Sequence, residues 1–186
     1  IDMLWFIKQV MHKEVWLISY TLIYEISKIC CTMKKPKIPK NESERLRELE
    51  SFQLIGIFEN EDYDFITSMA AQLCGTKISL ISLVTQNEQW FLSHHGIDVQ
   101  STPRDYSFCA HAINSKEPLI IENACKDDRF YDNPLTEQGV IFYAGVPLFT
   151  SNGYALGTLC TIDSSPKKLS KSQIEHLKKL AIQTVR

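Results

Sequence analysis

Between Phe142 and Asp163 the chain carries two apolar runs, FYAGVPLF and YALGTLCTID, on either side of a polar turn that contains Asn152-Gly153. Asn-Gly suits the positive φ angles of a tight turn, and β-forming residues flank it, so an antiparallel hairpin is predicted. Gly145, Pro147 and Gly157 interrupt these runs. A glycine inside a strand allows a bulge or the close approach of another group. Proline donates no hydrogen bond, so Pro147 must face a sheet edge or a bulge. The hairpin reads as one wall of a domain with a hollow against it.

The remaining pattern gives a mixed set of elements. Ser43 to Glu50, SERLRELE, has a capping serine followed by helix formers with few apolar residues, which predicts a short, mostly solvated helix. After a break around Gly56, Asp62 to Cys74 places Ile66, Met69, Ala70 and Leu73 at helical spacing, with Gly75 as the stop. Ile78 to Val84 and the run around Trp90-Phe91-Leu92 are predicted to pair as strands across a polar turn. From His94 to Pro118 the pattern is irregular, except that Ser107 is placed to cap a brief helix carrying Cys109, Ala110 and Ile113. Leu119 to Ile121 is a short strand, and Glu122 to Pro134 is polar and turn-rich. Ser170 opens the capping box SKSQ, after which Ile174, Leu177, Ala181 and Val185 share one helical face. The chain stops inside that helix, which suggests a fragment of something longer.

Composition adds exclusions more than chemistry. The chain has 186 residues and a formal net charge of −2, enough for one domain with a real core plus appendages. No basic face dominates, so neither nucleic acid nor a membrane surface is an expected partner. Met33 to Lys40, MKKPKIPK, is locally basic and reads as a solvated tail. Val15 to Tyr24 is apolar but too short to span a bilayer, and charged residues bound it. Residues 1–40 are therefore expected to be an extension, either upstream read-through or the end of a preceding segment, and 41–186 the domain. The six cysteines include no C-x-x-C pair and no Cys/His cluster with zinc spacing, so no metal site is expected and a reducing cytoplasm is.

Taken together, ERLRELESFQLIG, FITSMAAQLCG, ISLISLV, QWFLSHHGID, TPRDYSFCAHAI, DDRFYDNPL and FYAGVPLFTSNGYALGTLCTIDSSPKKLS resemble a GAF domain of the bacterial signalling kind. The resemblance covers Ser43 to Arg186. It implies an α+β fold: a central antiparallel sheet of about five or six strands with helices on both faces. It also implies a sensory or regulatory module that is not catalytic by itself and binds a small molecule. The expected partners are that ligand, a second copy through terminal helices in a homodimer, and an output module such as a histidine kinase or cyclase. No cofactor is indicated.

In the family the pocket is covered by the segments matching Arg104–Ala112 and Asp127–Pro134. That makes Arg104, Ser107, Phe108, Cys109, His111, Asp127, Arg129 and Phe130 candidate ligand residues, together with Phe142 and Tyr143 on the hairpin. Arg104 and Arg129 offer planar forks of donors for a carboxylate or phosphate, or instead pair with Asp105 and with Asp127 or Asp128 to tie their loops. Cys109, Cys125 and Cys160 raise a thiol chemistry like that of the GAF branch that reduces free methionine sulfoxide, although that branch's local cysteine motif is not recognised here. Bilin attachment in phytochrome-like relatives uses a cysteine directly before a histidine. Here Ala110 separates Cys109 from His111.

Overall fold

The computed structural model describes residues 33–56 and 61–185, and the apolar stretch before Met33, with Cys30 and Cys31, lies outside them. Lys34–Arg186 form one compact unit. Its centre is a six-stranded antiparallel sheet of β1 (Ile78–Val84), β2 (Glu88–His95), β3 (Ser101–Pro103), β4 (Leu119–Ile121), β5 (Phe142–Phe149) and β6 (Ala155–Asp163). The strands lie in the order β3-β2-β1-β6-β5-β4. The fold is α+β, with helices over both faces.

The hairpin is β5 and β6, paired from Phe142 opposite Asp163 to Phe149 opposite Ala155. Its turn is a three-residue loop: Thr150 N donates to Tyr154 O at 3.0 Å and Gly153 N to Thr150 O at 2.9 Å. Only Gly153, at φ +82°, takes the left-handed conformation, so Asn152 does not share that role. Pro147 meets its expected edge, because β4 pairs with β5 only from Tyr143 to Gly145 and leaves that side open beyond. Gly157 is a close-approach position. A Cβ there would lie 1.7 Å from the Ser82 carbonyl oxygen of β1.

One sheet face is covered by α1 (Glu42–Ser51), α2 (Glu61–Cys74) and α5 (Lys171–Thr184). Leu49, Ala70, Cys74, Leu177 and Ala181 pack there on Ile81, Leu92, Phe142, Leu148 and Leu159. Several local expectations shift. The cap position of α1 is Asn41, Ser43 lies inside the helix, and Arg45 and Leu49 are buried. The buried stripe of α2 is Thr67, Ala70, Ala71 and Cys74, while Met69 is 38% exposed. The helical period is as read, but its phase follows the small residues, which let the helix approach the sheet closely. The capping box of α5 forms through Ser170 and Gln173, and the face ends on buried Thr184 with Val185 exposed beyond it.

The opposite face is covered by α3 (Phe108–Ala112), α4 (Pro134–Glu137) and the loops around them. The segment 34–40, read as a solvated tail outside the domain, is part of this unit. His111 Nε2 lies 3.0 Å from Lys34 O, and Asn114 Nδ2 donates to Lys37 O at 2.9 Å. Pro36 is buried. Strand β3, which pairs with Glu88–Trp90 of β2, is only three residues long and therefore leaves no alternation in the sequence.

Candidate functional site

The face under α3 and α4 encloses a cavity of about 390 Å³. Its floor is Leu80 of β1, Phe91 of β2, Tyr143 of β5 and Ile162 of β6. Its sides are Phe108 and Cys109 of α3, Leu135 of α4 with Gly139 and Val140 beyond it, and Ile97 and Val99 of the loop after β2. The hollow expected against the hairpin is thus present. It is held open by the way α3 is fixed: the Ser107 hydroxyl accepts from Ala110 N at 2.9 Å and donates to the Gln89 side-chain carbonyl on β2. Phe108 is then clamped by Phe130, their rings stacked at 3.9 Å and 11°. A stacked aromatic pair adds directional preference to plain burial.

At the inner wall two buried sulfurs meet. Cys109 Sγ of α3 lies 3.8 Å from Cys160 Sγ of β6, and the Tyr143 hydroxyl donates to Cys109 Sγ at 3.3 Å. Gly145 makes this possible, since a Cβ there would fall 2.0 Å from the Tyr143 hydroxyl. Burial raises the Cys109 pKa, but bonds from Cys160, Ser82, Thr158 and Tyr143 outweigh it and bring the pKa to about 7. Its neighbours move the other way. The bond to Cys109 and burial push Cys160 well up, and burial and the nearby sulfurs do the same to Tyr143. Tyr143 therefore stays protonated and remains a donor.

The two arginines have their partners elsewhere, although Arg104 Nε and Nη2 are buried without one. Arg104 is buried and donates through Nη1 to Glu42 Oε1 at 2.5 Å and to Thr85 O at 2.8 Å. Asp105, its alternative partner, pairs with Lys35 at 2.6 Å instead. The same Glu42 carboxylate takes both ends of Arg45, Nε at 2.8 Å and Nη2 at 2.8 Å. Burial disfavours the Glu42 charge, yet bonds from Arg45 and Arg104 overcome it and lower its pKa to about 2. Arg129 makes a bidentate pair with Asp127, at 2.9 and 2.7 Å, within its own loop.

Of the candidates read from the sequence, Phe108, Cys109 and Tyr143 line the cavity. Ser107 and Phe130 support it from behind. His111 lies outside, edge-on to Phe130 at 4.8 Å, and burial lowers its pKa. Asp127, Arg129 and Arg104 do not line it, and Phe142 projects from the opposite face of the sheet. Reasoning from the sequence missed Gln89, Thr102, Lys77 and Gln138 to Val140. Gly139, at φ +103°, was a local signal that the chain bends there to form a wall. The polar groups on the lining are few. Gln89 is buried, the Thr102 hydroxyl is buried without a protein partner, and Lys77 Nζ donates to Ser164 Oγ at 3.1 Å beside Asp163. Among the described residues no group of three or more His, Cys, Asp or Glu is placed to hold a metal, and no helix is long and apolar enough to cross a membrane.

This architecture coincides with the match of the GAF domain family model to residues 61–185. The chain belongs to the GAF domain family. A cyclic di-GMP phosphodiesterase of Pseudomonas aeruginosa is 35% identical to this GAF domain over 156 residues, covering 81% of the chain. The chain spans only 27% of that relative's length. Among solved structures, the GAF domain of an Acinetobacter phosphoenolpyruvate-protein phosphotransferase is similar with a TM-score of 0.55 at 18% identity, covering 75% of this chain and 87% of that one. A domain of a two-component sensor histidine kinase from Sinorhizobium meliloti, described as putative, gives 0.51 at 17% identity, covering 67% and 86%. At such identity these two likenesses establish the fold. GAF domains serve as sensory or regulatory domains of signalling proteins, and this chain is one of them.

Proposed function

We propose that this GAF domain acts in the cytoplasm, without catalysis of its own, by binding a neutral, largely apolar small molecule between the sheet and α3–α4. The observation that carries this is the cavity of about 390 Å³ walled by Leu80, Phe91, Phe108, Tyr143, Val140 and Ile162. Its volume falls in the usual range for small-molecule sites, about 300–1,000 Å³. A phosphate-bearing ligand fits poorly. The lining cation Lys77 sits against Ser164 and beside Asp163, and both candidate arginines are engaged elsewhere. Gln89 and the unpartnered Thr102 hydroxyl supply the directional bonds. Ligand binding biases the packing of α5 and passes the signal to an output module or to a second copy in a homodimer. The likeness to the phosphodiesterase favours an output that handles a cyclic dinucleotide over a histidine kinase.

Native and denaturing mass spectrometry of the chain purified from cells tests the reading. An added mass that disappears on denaturation, and that the Val140→Trp variant fails to carry, is expected. An empty wild type that no neutral compound in a thermal-shift screen stabilises would instead make the domain a structural dimerisation module.

A further inference from the structure

Beyond ligand binding, we propose that Cys109 and Cys160 are a dithiol that a hydroperoxide entering the cavity oxidises to a disulfide. Three independent features of the geometry carry this. The two sulfurs are 3.8 Å apart and come from elements 51 residues apart in sequence, so tertiary packing and not chain continuity brings them together. Cys109, though 1% exposed, is a lining residue of the cavity from which a small oxidant would approach, whereas Cys160 is not and serves as the second thiol. Tyr143 points its hydroxyl at Cys109 Sγ, from a position that Gly145 keeps clear. A hydrogen bond aimed at one of two neighbouring sulfurs favours the thiolate there and makes the pair asymmetric.

The chemistry balances with the peroxide as sole oxidant. The Cys109 thiolate attacks one peroxide oxygen, the O–O bond breaks and an S–O bond forms. Hydroxide, or alkoxide from an organic peroxide, leaves and takes up the proton that Cys109 released. Cys109 is now a sulfenic acid, oxidised by two electrons. The Cys160 sulfur then attacks Cys109 Sγ, giving up its proton. The S–S bond forms, the S–O bond breaks, and the hydroxide departs as water. Both thiols end as one disulfide, and hydrogen peroxide ends as two waters. The bond requires the sulfurs to close from 3.8 Å to about 2.05 Å. That movement draws α3 toward β6, and His111 of α3 and Asn114 just after it contact Lys34 and Lys37. Oxidation therefore reaches the N-terminal approach to the domain whether or not the cavity holds a ligand.

The test is peptide mapping of the full chain after hydrogen peroxide treatment, with remaining thiols alkylated. The expected result is a Cys109–Cys160 cross-linked peptide about 2 Da lighter than the two reduced peptides together. The Cys160→Ser variant should stop at a sulfenic acid on Cys109 that dimedone traps, and Tyr143→Phe should slow oxidation at neutral pH and move its pH midpoint upward. Exposed Cys125 is an internal reference for unassisted thiol oxidation. Oxidation confined to Cys125, or Cys109 and Cys160 both recovered as alkylated thiols in folded wild-type protein, would overturn the proposal. The wild-type map decides even if a variant fails to fold.

Discussion

The two faces of one sheet are built in opposite ways. The face that carries Phe142, Leu159 and Ile81 is covered by helices of 10 and 14 residues, whose side chains interleave with it. The face that carries Tyr143, Cys160 and Leu80 is covered by helices of five and four residues and by loops. Long helices deliver many apolar side chains at fixed spacing, and the hollow left on their face, about 340 Å³ beside Leu54, Ile81, Leu92 and Leu148, lies at one end of it. Short ones deliver fewer, so the second cover is held by single devices: the Ser107 cap, the Phe108–Phe130 stack and the bond to Gln89. The cavity of about 390 Å³ lies under this second cover. Both faces bury apolar side chains, and the one covered by short helices and loops brings Cys109 and Tyr143 to a cavity wall, where a ligand or a thiol reaction is accommodated.

The sharpest way to break this contrast is a pair of truncations. Phe142 is fully buried on the face under the long helices, and Phe142→Ala should cost about 4 kcal/mol of stability. Val140, half-buried at the cavity wall, should cost about 1 kcal/mol as Val140→Ala, because its side chain already borders empty space. Urea unfolding midpoints compare the two directly. Equal losses would mean that the cavity face is packed as tightly as the other.

The next effect tests what joins the two covers. Glu42 belongs to α1 over the face of the long helices, and Arg104 to the turn that leads into α3 over the other face, with Arg45 completing the cluster. Glu42→Gln leaves two buried guanidiniums without their common carboxylate and should cost about 3 kcal/mol. The pH dependence has a definite sign. Glu42 has its folded pKa depressed from 4.5 to about 2, so its contribution is fully present above pH 4.5 and fades as the pH falls toward 2. Acid titration of unfolding in wild type and Glu42→Gln should therefore converge across that window. Curves that stay parallel there would remove Glu42 as the link.

How much of this could be read in the sequence follows from range. The hairpin, the strand pair β1–β2, the long helices and the capping box are local patterns within windows of about ten to twenty residues, and they appear where periodicity and turn chemistry place them. The phase of α2 could not be read, because small residues facing the sheet give a weaker apolar signal than Met69, which points away. Glu42 and Arg104 are 62 residues apart and Arg45 reaches Ala155 over 110, so no local pattern couples them. The same holds for Cys109 and Cys160. The nearby acid beside each arginine was the natural sequence guess. It describes Arg129 with Asp127, but for Arg104 the partner comes from α1.

That division between local and tertiary pairing predicts the smallest effect. Arg129 is 41% exposed, and its bidentate partner Asp127 sits two residues away in the same loop, so the pair ties the loop only to itself. Its guanidinium also lies 5.1 Å from the centre of the Phe130 ring, on the outer side of the aromatic stack. An exposed pair of this kind contributes about 0.5 kcal/mol or less, since water screens the charges and two long side chains must be ordered. Arg129→Ala should therefore leave the urea midpoint almost unchanged and leave ligand retention unaffected, whereas Arg104→Ala should destabilise clearly. A loss of bound ligand in Arg129→Ala at unchanged stability would place an anion-binding group beside the cavity after all. The cavity face would then be an electrostatic site as well as an apolar one.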